Sequence, residues 1–170
     1  MNPSQVATPT SFQGSVQHLS FRVRKARYAL PIELVREILE YGQVTSVPMM
    51  PECIHGVINL RGNVVPVLDL AARFGMELTV PGNRTCIVII ELEVNDTHQR
   101  IGLVVDAVDA VLDIDGADVE PAPPFGSGIR TDFIAGMARD EVGFTIVLDM
   151  RRVLSLNDLL NLGQATAQAS

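Results

Sequence analysis

Two stretches of this chain repeat one another, and that repetition limits the folds open to it more than any other feature. Ile54-His-Gly56 precedes Val67-Leu-Asp-Leu70 with ten residues between; Ile134-Ala-Gly136 precedes Val147-Leu-Asp-Met150 with the same ten. Upstream, Tyr28-Ala-Leu-Pro-Ile-Glu-Leu-Val-Arg-Glu-Ile38 aligns with Ile101-Gly-Leu-Val-Val-Asp-Ala-Val-Asp-Ala-Val111. A Pro-x-x-Pro segment separates the two blocks each time, Pro48 with Pro51 and Pro121 with Pro124. Short apolar matches arise by chance in a valine-rich chain, but two in the same order point to two similar units. Each unit offers about five short strands, enough for a small closed barrel that leaves no long edge exposed.

The length of 170 residues suits one domain, or two small sub-domains sharing a core. Apolar residues make up 47% and there is no Trp, so the filling is mainly Val, Ile and Leu, a bias toward strands. A net charge of −7 argues against a nucleic-acid partner, which would need clustered Lys and Arg. Cys53 and Cys86 are far apart and make neither a zinc spacing nor a redox pair; two lone thiols fit a reducing cytosol. The N-terminus lacks a basic region followed by an apolar stretch, so it is not read as a signal peptide, and no apolar run is long enough to insert in a bilayer. A cytoplasmic location is expected.

Residues 1–14 are rich in Pro, Ser, Thr and Gln and are expected to be a disordered lead; 163–170 are expected to be a flexible tail. Between them, Leu19, Phe21 and Val23 alternate with polar residues as in a half-buried strand, and Tyr28–Ile32 returns as a second. Apolar residues at 32, 35, 38 and 39 predict a short helical piece or an irregular turn. Val57–Leu60 and Val64–Leu68 flank Arg61-Gly62-Asn63, a predicted hairpin with Gly62 or Asn63 at positive φ. Pro66 places its strand at an edge or a bulge, and Asp69 caps a short helix that Gly75 ends. Thr85–Leu92 and Arg100–Val105 read as a strand pair, with further strands at Val108–Ile114 and Val142–Leu148. Glu120–Gly128 reads as a loop, and Met150–Leu162 as an amphipathic C-terminal helix.

Catalytic chemistry is poorly supported. His18, His55 and His98 are isolated in sequence, without evident partners for metal or base work. Gly126-Ser127-Gly128 lacks the spacing of a nucleophile elbow, and Asp113-Ile-Asp115-Gly116 reads as a solvated acidic turn. No phosphate-binding loop or spaced metal cluster is present, so no cofactor is implied. Arg61 is different. It sits between two apolar runs, while the second copy has Glu141 at the same offset from its Ile-x-Gly, so the repeat unit does not require this charge. Glu37 lies upstream, where it can hold Arg61 in place.

The stretch Gly56-Val-Ile-Asn-Leu-Arg-Gly-Asn-Val-Val-Pro-Val-Leu-Asp-Leu70 resembles the signature of the CheW-like domain family, and the similarity extends roughly from Val16 to Leu160. It takes in Tyr28-Ala-Leu-Pro-Ile, Val35, Glu37-Ile38, Gly102-Leu-Val-Val-Asp106, Val108, Ile134-Ala-Gly136 and Val147-Leu-Asp149. The resemblance implies a single domain over 15–162, mainly β, built from two intertwined five-stranded SH3-like barrels with short helices. It implies a non-enzymatic adaptor that couples membrane chemoreceptors, through their cytoplasmic signalling tip, to a CheA-type histidine kinase within a receptor array. By the same resemblance, Val35, Arg61 and Val111 lie on or near the receptor-binding surface, with Glu37, Gly56 and Asn59 shaping it. Kinase contact would fall mainly on apolar residues of the first barrel. Val35 and Val111 are taken to hold equivalent places in the two repeats. The rival reading is a small-ligand-binding β domain that uses the groove between barrels as its pocket.

Overall fold

In the computed structural model, which describes residues 14–94, 96–122, 131–140 and 143–155, the alternating stretches become strands. β1 (Ser15–Val23) and β2 (Ala26–Pro31) pair from His18 opposite Pro31 to Val23 opposite Ala26. A 3-10 turn (Ile32–Leu34) leads into β3 (Val35–Glu40). β4 (Ile54–Leu60) and β5 (Asn63–Asp69) form the next hairpin, closed by helix α1 (Leu70–Arg73). The second half supplies β6 (Cys86–Val94), β7 (Thr97–Val105), β8 (Ala107–Asp115), β9 (Val119–Glu120), β10 (Ile134–Arg139), β11 (Phe144–Leu148) and α2 (Met150–Val153).

Two sheets result, ordered β8-β1-β2-β11-β10-β9 and β3-β6-β7-β5-β4. Pairing β1 with β6, β2 with β7, β3 with β8, β4 with β10 and β5 with β11, as the repeat does, converts one order into the other. Each sheet therefore takes strands from both halves of the chain: β3 crosses to β6 of the second half, and β8 crosses back to β1. This exchange intertwines the two barrels.

The registers repeat as well. β5 runs parallel to β7 with Val67 opposite Gly102, and β11 runs parallel to β2 with Val147 opposite Ala29. A bulge interrupts β3·β6 between Val35 and Glu37, and another leaves Asp109 unpaired between Val108 and Ala110 on β8. A third repeated pair lies between Ile54 and Gly56 and between Ile134 and Gly136. A bulge turns a strand sharply, which a small barrel needs at its corners.

One core runs through both barrels. Leu19, Phe21, Tyr28 and Leu30 of one meet Val88, Ile90 and Leu103 of the other. Phe21, Tyr28, Phe74 and Phe133 form a chain of ring contacts through it, and each such fully buried side chain contributes about 2 kcal/mol relative to exposure. The two short helices are tied together by Arg73, whose Nε donates to the Val153 carbonyl at 2.7 Å.

The two sheets close at equivalent places with pairings of different length. β9 pairs with β10, Glu120 opposite Met137 and Val119 opposite Ala138. In the other, β3 and β4 are the sheet's outer strands. Among the described residues one isolated bridge joins β4 to the stretch that follows β3: Thr45 and Val57 exchange N–H···O bonds of 2.9 and 2.8 Å.

Several expectations are corrected. Ile32–Leu39 is a 3-10 turn followed by a strand: eight residues are too few for a stable isolated helix, and pairing with β6 wins. The turn and the bulge at Arg36 shift the apolar phase and imitate helical spacing. At the predicted hairpin, Gly62 takes the expected positive φ (88°), and Arg61 (51°) shares it. Asp69 does cap α1, and Gly75 follows with φ 93°. Pro66 lies where β5 has not yet met β7, so its missing amide costs no ladder bond there. The predicted lead up to residue 13, most of the 120–128 loop, Val142, and residues 156–170 of the predicted C-terminal helix and tail lie outside the described residues.

Candidate functional site

The hairpin that carries Arg61 is shaped by its own sequence. Leu60 and Asn63 form the last pair, and Arg61 and Gly62 turn the chain with both φ values positive. Asn59 fixes the turn from below: its Oδ1 accepts the Gly62 N–H at 2.8 Å. Asn59, expected to shape the surface, therefore acts on the turn that presents Arg61.

Arg61 reaches across to β3. Its Nη1 and Nη2 donate to Glu37 Oε2 and Oε1 at 3.1 and 2.8 Å, a two-bond fork. Arg61 stays 69% exposed while Glu37 is 23% exposed, so the carboxylate is the anchored partner and the guanidinium is displayed. The hydrogen bonds from Arg61 hold the Glu37 carboxyl below the usual carboxylate range, and the same contact raises the guanidinium.

Gly56 is buried at the other end of β4, where the strand bulges. Its φ is 152°, and a Cβ there would stand 2.0 Å from the Thr45 carbonyl oxygen. Glycine is needed because the closing seam passes directly over it.

Val35 is half-buried and packs against the main core. Val111 belongs to the other sheet, on β8 opposite Leu19, and is 51% exposed. The matched bulges align Val35 with Val108, so the repeat partner of Val111 is Ile38, which is 43% exposed. Val35 and Val111 are thus not equivalent positions, and the bulges agree with the alignment of Tyr28–Ile38 with Ile101–Val111, which already sets Val111 opposite Ile38. Glu37, Asn59 and Arg61 come together in one barrel, and Val111 stands on the other.

None of the three histidines is isolated in space. The ring of buried His18 bonds through Nδ1 to the Val16 carbonyl at 2.9 Å, and burial lowers its pKa. His98 Nδ1 lies 3.2 Å from Glu91 Oε2. His55 lies between Tyr41 and Asp69: Nε2 to Asp69 Oδ2 is 2.7 Å and Nδ1 to Tyr41 Oη is 2.9 Å. A signal for His55 existed in the sequence, since the second repeat has Ala135 in its place, the same asymmetry that singled out Arg61.

An open groove of about 720 Å³ runs between the barrels, with Pro31, Leu34, Leu92 and Met150 among its walls. Its central acid, Glu91, already engages Arg36, His98 and Arg100, and the Arg100 hydrogen bond lowers its pKa. Groups spent on one another in this way give a small ligand little to converge on.

Comparison with known proteins places this geometry. The sequence model of the CheW-like domain matches residues 17–158, which takes in both barrels. The chain belongs to the CheW-like domain family. Similar relatives include a chemotaxis protein CheW of Klebsiella aerogenes, 30% identical over 143 residues, covering 84% of each chain. A probable chemotaxis protein CheW of Rhizobium etli is 31% identical over 143 residues, covering 84% of this chain and 90% of its own. Among solved structures, the scaffolding protein TtCheW from Thermoanaerobacter tengcongensis superposes with a TM-score of 0.74 at 33% identity, over 85% of this chain and 95% of that one. In this CheW-like domain, then, the Asn-Leu-Arg-Gly segment is a hairpin tip, and the valine-rich run after it is the strand on which the two halves of the chain interlock. No helix among the described residues is long and apolar enough to cross a membrane.

Proposed function

We propose that this CheW-like domain is a cytoplasmic, non-enzymatic adaptor that couples the signalling tips of membrane chemoreceptors to a CheA-type histidine kinase. The observation that carries the reading is the Glu37–Arg61 fork: a guanidinium held by a carboxylate at a hairpin tip, yet mostly exposed. Holding a cation while leaving it accessible suits recognition of a partner's surface and sets orientation more than raw affinity. Exposed Ile38 and Val111 and half-buried Val35 supply apolar surface of the kind an amphipathic helix takes up. Each contact is expected to be small, roughly 1,200 Å² or less in total, with array stability arising from many linked contacts.

The test is reconstitution of receptor-dependent kinase activation with and without the protein. Activation that requires the protein is the expected result, and Arg61→Glu should weaken receptor-tip capture while leaving the fold intact. Kinase activation that is indifferent to the protein would end the reading.

A further inference from the structure

The Tyr41–His55–Asp69 contact lies beside the surface just described and has no part in it so far. Asp69 is fully buried, and four donors converge on its carboxylate. Ala71 N–H and the Thr79 hydroxyl reach Oδ1 at 3.0 and 2.9 Å; Thr79 N–H and His55 Nε2 reach Oδ2 at 2.6 and 2.7 Å. With the carboxylate accepting from all sides, the Nε2 position of His55 carries the proton, and Nδ1 faces the Tyr41 hydroxyl. His55 is the extra residue of the bulge between Ile54 and Gly56, and from there its ring reaches this acid.

The position of this contact is what gives it meaning. Tyr41 follows β3 directly and His55 is the second residue of β4; these are the sheet's two outer strands, and at the seam between them the Thr45–Val57 bridge joins the stretch after β3 to β4. Along that seam, Glu37 and Arg61 join β3 to the far end of the hairpin, and Thr45 and Val57 form the one backbone bridge among the described residues. Tyr41 and His55 form a further cross-link between the same two stretches. Leu39, Tyr41 and Val44 pack against the small core of Ile58, Leu60 and Val65 beneath. A seam with so little backbone pairing takes its spacing from side chains. In the other barrel, with Ala135 at the bulge, Met137 stands at the place of Val57 and pairs with Glu120, and the ladder extends by a second pair, Val119 opposite Ala138.

We infer that His55 is a positioning residue: by tying Tyr41 to the buried Asp69 it sets the spacing of the β3–β4 seam, and with it how Glu37 presents Arg61. The link to partner binding rests on the proposed adaptor reading, but the spacing itself can be measured in the free protein. The full chain is compared with His55→Ala, which installs the residue of the other repeat, with His55→Gln, which keeps a donor near the Nε2 position, and with Tyr41→Phe, which removes one hydroxyl and keeps the ring. The readouts are amide hydrogen exchange at Thr45 and Val57, exchange in the β9·β10 pair as an internal control, and the nitrogen resonances of the Arg61 guanidinium.

Exchange at Thr45 and Val57 should rise about tenfold in His55→Ala and about threefold in Tyr41→Phe, with the β9·β10 amides unchanged. The Arg61 resonances should move toward those of a free arginine, and His55→Gln should restore part of the loss. Equal acceleration at both seams would mean only general destabilisation and would overturn the inference, as would unchanged Arg61 resonances in folded His55→Ala and Tyr41→Phe. Receptor-tip capture separates the two readings. If Arg61→Ala leaves capture intact while the seam still responds to Tyr41→Phe, the adaptor site is misplaced and the positioning role stands.

Discussion

Asp69, the last residue of β5, and Asp149, just after β11, stand at equivalent places of the two barrels, and each caps a four-residue helix. Their backbone amides are held alike, Asp69 by the Cys53 carbonyl and Asp149 by the Phe133 carbonyl. Their side chains live differently. Asp149 is half-buried and accepts from the Arg151 and Arg152 amides, at 3.2 and 3.4 Å. Asp69 is fully buried under Thr79 and His55. The same local motif is a simple helix cap in one barrel and the hub of a buried polar network in the other. The repeat supplies the cap; the additional residues around Asp69 turn that barrel's corner into a support for the neighbouring seam.

The largest effect that can break this comparison is at Gly56. Gly56→Ala drives a Cβ against the Thr45 carbonyl and should cost about 3 kcal/mol or more in denaturant unfolding, or abolish folding. Gly62→Ala, at φ 88° with open space around it, should cost about 1 kcal/mol. Equal losses would show that the seam does not press on Gly56.

Next are the two acids. Asp69→Ala strands buried donors from Ala71, Thr79 and His55 and should cost about 3 kcal/mol, against about 1 kcal/mol for Asp149→Ala. Similar values from paired urea titrations would erase the distinction between cap and hub.

A smaller effect separates the barrels by pH. His18, buried in the β1 barrel, has its pKa lowered chiefly by burial, which outweighs the Val16 carbonyl. The unfolded chain then binds the proton first, so stability is lost as pH falls below the ordinary histidine value of 6.5. Glu37 and Glu91, also lowered, contribute stability that is lost only at more acid pH, through the carboxylate range. In His18→Gln the upper part of this pH dependence should vanish and the lower part remain; an unchanged upper part would remove His18 from the account.

The smallest effect is on the displayed pair. Arg61→Ala should raise the Glu37 titration toward the ordinary carboxylate range, read from its side-chain carbon resonance, with little change in stability because the pair is exposed. Added salt should reduce the same shift in the wild-type chain. A Glu37 titration indifferent to Arg61 would dissolve the fork.

Much of this was legible in the residues. The hairpins, the Asp69 cap and the Glu37–Arg61 contact follow from short-range chemistry, namely alternation, turn formers and opposite charge near a strand tip. β3 was misread because a 3-10 turn and a bulge at Arg36 interrupt its period of two. Bulges cannot be seen in a single strand, since they exist only relative to a partner. The equivalence of Val35 and Val111 ran against the repeat alignment itself, which pairs Val111 with Ile38, and His55 appeared solitary because its partners lie fourteen residues away on either side.

By itself the sequence determined that two like units are present, that both are strand-built, and that one carries an arginine and a histidine the other lacks. Only the tertiary structure decided that β3 and β8 exchange barrels, which seam rests on side chains, and where the buried carboxylate sits. The reason is physical: a repeat and its alternation are written along one strand, whereas partner, register and burial depend on which distant strand lies alongside.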